Sequence, residues 1–541
     1  GGNLSDLSDP HQMKDMDRLV EILAQKIRKQ VHIRIIGDYD VDGVTSSHLF
    51  LTALRRVGAK VDVVIPHRIQ DGYGLSLHLL QQAKEDGVDT ILTCDNGIAA
   101  IDEIAWAKAQ KMTVLVTDHH AVPFEEHEGR RTEKKSLADA VVNPHQQDCG
   151  YPYKELCGAG VAWNVIRVLY ENYDMDKREA EDLLDFVAMA TVCDVMSLTG
   201  ENRILVKEGL KRIRHTKNIG LQALMQACNV QQENISAYHF GYVLGPCVNA
   251  TGRLDTARHA LRLFETGQET EAEEIARDLV DLNQERKELT LQGVEMAKKL
   301  CEEGGYENDP VLVLFLPDVH ESIAGLIAGR IREMYNRPVF VLTRGEEGVK
   351  GSGRSTENYS MYENMCGCAE LFTKFGGHPM AAGLSLPEEN VEKFRRKINE
   401  NCPLTVEEVC PDIHIDMAMP VGYASTELVH QFALLEPFGK DNPSPLFADR
   451  NLSISRMWVI GKNRNVLRMS VLSEYGQPVP VIFFGDVETL FAYFTEKFGQ
   501  KEVENALHGR KNRILFSMVY TAKIDFYQGN ENLQLEMKYY R

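Results

Sequence analysis

Apolar residues alternate between strand-like runs and helical spacing over the first 120 positions. "VHIRII" (31–36) is a short β-branched run that reads as a buried strand. In "VTSSHLFLTALRRVG", Val44, Leu49, Leu51, Leu54 and Val57 recur at helical spacing, with hydroxyl residues at the start and Gly58 as the stop. "KVDVVI" (60–65) predicts the next strand, "LSLHLLQQAKEDG" a helix and "VDTILTCD" (88–95) a strand. "IAAIDEIAWAKAQK" predicts a helix and "MTVLVTD" (112–118) a strand. Such alternation predicts an α/β domain with a mostly parallel sheet. Residues just past its strands then gather along one edge, where ligands bind.

Farther on, residues 259–303 are charged, nearly free of glycine and proline, and helical in period, predicting one long connector. "PVLVLF" and "RPVFVLT" read as strands around the helix "SIAGLIAGRIREMY", a second α/β unit ending near residue 402. The tail carries short β-like runs: "LSISRMWVIG", "VLRMSVL", "PVPVIFFG", "RILFSMVYTAKIDFY" and "LQLEMKYY". These suit a small barrel.

A chain of 541 residues has room for three or four such domains. No apolar run approaches the roughly 18 residues of a membrane helix, and "GGNLSDLSDPHQMKDMD" carries no signal-peptide core, so the expectation is a cytoplasmic protein that meets no membrane. The 11 cysteines form no CxxC pair, which predicts reduced thiols rather than a zinc ribbon or a disulfide framework. The net charge of −19 argues against nucleic acid being bound over the whole surface. Its distribution is uneven, however. Residues 450–541 hold 13 Lys and Arg against 9 Asp and Glu.

Part of the negative charge is concentrated in "GDYDVDG", where Asp38, Asp40 and Asp42 follow the first strand. Asp95 in "TCDNG" ends another strand, and Asp118-His119-His120 ends a third. "FVAMATVCDVMSL" presents Asp194 at the end of an apolar run, so that four motifs are expected at compatible strand ends. Carboxylates with imidazoles suit Mn²⁺ or Mg²⁺ better than thiolate-bound zinc. This many carboxylates predicts two ions bridged by one of them, as in two-metal hydrolases. An EF-hand loop also begins DxDxDG, but its bidentate Glu would have to fall where Leu49 stands, and a strand precedes the motif. A dehalogenase-type phosphatase would make Asp40 a covalent nucleophile and leave Asp95 and DHH without a task. No GxxxxGK[ST] loop suggests ATP-driven chemistry.

These four motifs resemble those of the DHH phosphoesterases. "PHRIQDGYGLS", "VNATGRLDTA", "GSGRS", "KFGGHPMAAGLSL" and "LEPFGKDNPSPLF" extend the resemblance, from residue 31 to the C-terminus, to the RecJ branch of single-strand-specific 5′→3′ DNA exonucleases. A WHxG-type motif of that branch reads "VHESIAG" here, keeping His320 without the Trp and Gly. The resemblance implies a DHH catalytic domain over 1–258, the helical connector over 259–304, a DHHA1 domain over 305–402 and a nucleic-acid-binding OB-fold over 403–541.

Phosphodiester hydrolysis needs cations against the non-bridging oxygens and an activated water in line with the leaving oxygen. Asp40, Asp42, Asp95, His119 and Asp194 are the expected metal ligands, with Asp95 the bridge. Asp38 is either a ligand or the acceptor that holds one. His120 is expected to face the scissile phosphate as donor or general acid, with Asp118 orienting a histidine or capping a segment. The resemblance further implies that Ser352 and Arg354 hold the 5′-terminal phosphate with Arg68 nearby, that Arg253 and His320 touch phosphates close to the cut, and that His378 meets substrate. Trp458, Arg464, Arg468 and Tyr527 are the candidate DNA contacts of the barrel.

The expected activity is single-strand-specific 5′→3′ exonuclease action in DNA repair and recombination. Implied partners are single-stranded DNA with a 5′ end, a single-strand-binding protein and a helicase, with the enzyme a monomer. Two other readings stay open at this point: a DHH enzyme that cleaves short oligonucleotides or a nucleotide phosphate, and a nuclease-derived scaffold that holds DNA without cutting it.

Overall fold

A computed structural model describes residues 2–68, 71–72, 74–127, 130–306, 309–345, 348–404, 413–461, 465–527 and 530–541. Contacts divide the chain into two compact units. One comprises residues 2–196 and 200–411, the other 412–541 with the segment 197–199. No helix among the described residues is long and apolar enough to cross a membrane.

The first unit opens on a five-stranded parallel sheet. Its strands are β1 (Ile33–Ile36), β2 (Val61–Val64), β3 (Thr90–Cys94), β4 (Thr113–Thr117) and, after an antiparallel hairpin of β5 (Phe124–His127) and β6 (Arg130–Glu133), β7 (Ala140–Val142). The order is β2-β1-β3-β4-β7, so the chain reverses its direction of winding between β1 and β3. In an open α/β sheet that reversal leaves a crevice beyond the strand ends. Helix α1 (Val41–Arg56) links β1 to β2. The sequence places its start at the hydroxyl residues, but it begins earlier. Asp40 is the N-cap, its side chain accepting from the Gly43 N–H at 3.0 Å, so Asp42 lies inside the first helical turn.

Helices α2 (Gly158–Asn172) and α3 (Leu184–Cys193) follow, and α3 corrects a second expectation. Asp194 does not end a strand. It is the C-cap of α3, which is buried almost all round. Next come α4 (Gly245–Leu254) and the connector, which is not one helix. It is Arg258–Glu265 and α5 (Glu269–Glu303), separated where Thr266 turns to extended backbone and its hydroxyl bonds Glu271.

The second sheet has the order β11-β12-β10-β9-β8. Its strands are β8 (Leu312–Phe315), β9 (Val339–Gly345), β10 (Gly348–Arg354), β11 (Lys374–Gly377) and β12 (Ala381–Leu386). β8 and β9 are parallel and the other pairs antiparallel. Helix α6 (Glu321–Tyr335) joins β8 to β9 and packs Ile323 and Ile327 against Val294 and Ala297 of α5. Gly376 pairs with Gly383 inside the β11–β12 ladder.

The other unit is built on β13 (Met417–Ala418), β14 (Phe447–Ile460), β15 (Val466–Leu472), β16 (Pro478–Phe484), β17 (Leu515–Tyr527) and β18 (Asn530–Tyr540). The order β13-β14-β15-β16-β18-β17, with β14 also paired to β17, closes five of these strands into a ring around Met457, Leu467, Met469, Phe494 and Met537. The sequence reading missed two helices here, Val487–Phe498 and Gln500–Leu507, inserted between β16 and β17.

Candidate metal centre and substrate cleft

Three strand ends and one helix end deliver the acidic cluster. Asp38 follows β1 and is buried. Gly43 lets α1 start directly over it, because a Cβ there would fall 2.5 Å from the Asp38 backbone N and O. Asp42 is fixed across the chain. Its two oxygens accept the Gly158 and Ala159 N–H groups at 2.6 and 2.7 Å, at the start of α2. A helix N-terminus is a favourable place for a carboxylate.

Asp95 follows β3 in the left-handed region, φ 61°, which Asp tolerates better than most residues. Asn96 beside it donates to the Ile36 and Cys94 carbonyls and ties the ends of β1 and β3 together. Gly158 is again required, since a Cβ there would lie 2.6 Å from the Asp95 Cβ and 3.0 Å from Asp42 Oδ2.

His119 Nε2 lies 3.1 Å from Asp95 and 3.6 Å from both Asp42 and Asp194. Three sets of ligand atoms each fall within 4.8 Å: Asp38, Asp40 and Asp95; Asp95, His119 and His120; and Asp42, His119 and Asp194. Asp95 and His119 each belong to two of them, and of the two only a carboxylate has a second oxygen to offer a second ion. Burial, then repulsion from Asp40, holds the Asp38 carboxyl well above the usual carboxylate range. Burial and the Asp42 charge do the same to Asp95, and Asp40 is raised for the same two reasons. Buried carboxylates in mutual repulsion call for a cation. Asp38 Oδ1 and His119 Nε2 are buried there without a hydrogen-bond partner among the described residues, as open ligand positions would be. The residues thus fit hard divalent ions.

Asp118 stands apart from the ligand sets. One oxygen accepts the Ile98 N–H; the other accepts the His119 and His120 N–H groups and lies 2.7 Å from His120 Nδ1. It therefore orients His120. Burial alone would lower the His120 pKa, but the bond to Asp118 together with the charges of Asp118, Asp194 and Asp42 outweighs it and carries the ring up to about 9.

Two cavities adjoin the DHH motifs. One, of about 360 Å³, is lined by His67, Arg68, Arg253, Asp255 and His320. The other, of about 430 Å³, is lined by Tyr39, Arg68, Lys350, Ser352, Lys374 and Phe375, among others. Arg68 lines both, with its guanidinium 4.8 Å from the Tyr39 ring centroid. Arg253 donates to the Ser322 carbonyl at 2.6 Å; burial, then the Arg68 charge, lowers its pKa to about 9. Guanidiniums crowded in this way favour an anion among them.

Arg354 lies near enough to the cleft arginines for the Arg68 charge to act on it and for its own charge to act on Arg253. Its guanidinium is packed against Gly325 of α6, and its Nη1 donates to the Gly353 carbonyl. His320 caps α6 through Ser322, which gives it a structural task that the altered "VHESIAG" motif preserves. His378 is exposed in the turn between β11 and β12 and lines neither cavity. The sequence reading did not single out Lys350, Lys374, Tyr39 and Phe375. Lys350 was within reach, because it stands two residues before Ser352 on the same strand and so shares its face.

In the other unit, Trp458, Arg468, Asp525, Asn532 and Gln534 help line a cavity of about 510 Å³. Trp458 and Arg468 are direct cross-strand partners. Tyr527 is paired with Asn530 where β17 turns into β18, and Arg464 lies outside the described residues. Trp458→Ala should weaken binding of a long single strand about tenfold, as loss of one stacked base predicts (about 1–3 kcal/mol), and leave the cleavage rate at saturating strand unchanged. Fluorescence anisotropy beside single-turnover kinetics checks it.

Fold and site together define a member of the DHH family. The model of the DHH family N-terminal domain matches residues 32–191, that of the DHHA1 domain 308–402 and that of the RecJ OB domain 415–539. A single-stranded-DNA-specific exonuclease RecJ from Haemophilus influenzae is 32% identical over 99% of this chain and 92% of that protein. The Bacillus subtilis protein of the same name is 33% identical over 87% of this chain, which spans 59% of that longer relative. A crystal structure of RecJ from Thermus thermophilus in complex with Mn²⁺ superposes with a TM-score of 0.78 at 26% identity, over 98% of this chain and 72% of that one. The chain belongs to the RecJ family, and the closed strand ring is its OB-fold.

Proposed function

We propose that this protein is a metal-dependent exonuclease that degrades single-stranded DNA from its 5′ end and acts in DNA repair and recombination. The observation that carries this reading is Arg68, which lines two adjoining basic cavities and sits near enough to Asp38 for its charge to favour the carboxylate. A strand whose end is gripped in one cavity would be led through the other to the acidic cluster. The names of the RecJ relatives support the substrate, and the Mn²⁺- and Mg²⁺-bound Thermus structures support the metals.

Asp40, Asp42, Asp95, His119 and Asp194, with Asp38 at the edge, would hold two ions of Mn²⁺ or Mg²⁺. Bound there, the ions supply charge against the non-bridging oxygens and an acidified water. Asp42, held by two backbone amides, keeps its oxygens in place as ions exchange. His120, oriented by Asp118, would donate to the scissile phosphate or to the departing oxygen from the ring nitrogen that Asp118 leaves open. Arg253 and Arg68 offset the charge of phosphates flanking the cut. We further propose a cytoplasmic monomer to which a single-strand-binding protein and a helicase deliver the strand.

Direction is tested at Arg354. A 5′ phosphate is a dianion that no internal phosphodiester matches, and each charge-assisted bond to it contributes about 1.5–3 kcal/mol. Arg354→Ala should erase most of the kcat/KM preference for 5′-phosphorylated over 5′-hydroxyl strands and change the hydroxyl substrate less. An unchanged ratio removes Arg354 from end reading. Efficient cleavage of circular single strands sinks the exonuclease reading itself.

A further inference from the structure

The sulfurs of Cys228 and Cys247 are 3.8 Å apart, in hydrogen-bonding contact. Cys228 caps the helix Ile219–Ala227 and is half-buried, while Cys247 is buried on α4. Asn283 of α5 donates its amide to Cys247 Sγ at 3.4 Å. The orientation of that amide is fixed, because its oxygen accepts two N–H groups from Arg286 at 2.9 and 3.1 Å and its nitrogen must then face the sulfur. The hydrogen bond from Cys228 lowers the Cys247 thiol below its ordinary range against the effect of burial, with help from Asn283, Lys287 and Arg286. The metal chemistry uses none of these groups.

We propose that Cys228 and Cys247 form a reversible redox-modification site, closed to an intramolecular disulfide by a small-molecule disulfide and reopened by thiols. Cys247 serves as the base: it takes the proton of Cys228, whose thiol the bond to Cys247 and burial hold above its ordinary range, as Cys228, the more accessible sulfur, attacks the small disulfide. One small thiolate leaves and takes a proton from solvent. Cys247 then gives its proton to solvent, attacks the sulfur of Cys228 and expels the second thiolate, which is protonated in turn. Two electrons pass from the protein sulfurs to the small disulfide, and two small thiols result.

Closing the bond matters because of what else α4 carries. Asn249, two residues on, accepts the Val41 N–H at 3.1 Å and so holds the turn of the "GDYDVDG" motif. Arg253, at the far end of α4, holds the Ser322 carbonyl beside the cleft. A disulfide sulfur pair is about 2.0 Å apart, so closure draws α4 towards the helix that ends at Cys228 and disturbs both contacts. This coupling rests on the nuclease reading; the thiol chemistry does not.

The test treats the whole chain with oxidised glutathione, then alkylates free thiols in denaturant, so that buried cysteines such as Cys94 and Cys157 react too. Trypsin leaves both cysteines in one peptide, residues 218–253, because no Lys or Arg stands between Lys217 and Arg253. The expected result is that this peptide escapes alkylation and is lighter by two hydrogen atoms, while the remaining cysteines are mostly alkylated, and that dithiothreitol reverses the change. A peptide carrying two alkyl groups, or small-thiol adducts only, overturns the site. In parallel, the rate on single-stranded DNA should fall several-fold on oxidation and recover on reduction, with Cys228→Ser unaffected by the oxidant. A closed bond with an unchanged rate overturns the coupling and leaves the modification standing. If the protein proves to have no nuclease activity, the peptide map still decides the site.

Discussion

Asp95→Ala should abolish hydrolysis, by about a thousandfold or more, since losing a ligand shared between two ions removes several kcal/mol of charge stabilisation. Its effect on the metal-free protein should have the opposite sign. Asp95 is buried and its carboxyl is pushed up by burial and by Asp42 and Asp40, so removing the charge relieves repulsion, and the Tm of the chelator-treated protein should rise most in Asp95→Asn, which tolerates the φ of 61° better than Ala does. Added Mn²⁺ stabilises wild type through binding to the folded state and should stabilise the variant much less. Thermal melts with EDTA and with Mn²⁺, beside strand-binding titrations that stay near wild type, separate a lost metal site from a lost fold. Near-wild-type cleavage in Mn²⁺ would end the two-ion reading.

The second large effect falls on a residue with no chemistry of its own. Gly158→Ala adds one methyl group, which would stand 2.6 Å from the Asp95 Cβ and 3.0 Å from Asp42 Oδ2. The helix start cannot readily retreat, because its amides hold Asp42. Displacing reacting groups by about 1 Å can cost 10²-fold, so turnover should fall by about that factor while circular dichroism stays unchanged. The Tm gain on adding Mn²⁺ should shrink with it. A variant that keeps both its rate and its Mn²⁺-dependent gain would show that Asp42 and Asp95 tolerate being parted.

Gly158 also marks the limit of what the sequence makes legible. The parallel strands could be read because their β-branched runs are short and set between helical periods. The convergence of Asp38, Asp95 and Asp118 then followed from strand direction alone. Gly158 acts on carboxylates 63 and 116 positions away, and no local pattern reports that separation. Asp194 was placed correctly at the cluster, but on the wrong element. "FVAMATVC" is apolar throughout, and a run without alternation does not distinguish a buried helix from a strand. The break in the connector turned on Thr266, whose side-chain bond to Glu271 outweighs a helical pattern that runs across it. In the tail, β-rich neighbours masked the amphipathic period of Val487–Phe498. Arg354 is expected from its motif to hold a terminal phosphate. Its sequence gave no sign that the guanidinium packs against α6 beside Gly325.

The closed ring of β14 to β18 limits how other macromolecules can attach to that unit. A sheet with a free border offers unpaired N–H and C=O groups, and an extended peptide can lengthen it by one strand. Here β14 is paired with β15 along one stretch and with β17 along another, and beside Phe447 and Ala448 its remaining side is taken by β13. Among the described residues, backbone addition of a strand is thus left to stretches such as the short outer side of β13 and the part of β14 beyond its ladder with β17, and partners at the paired stretches of this unit meet side chains and loops.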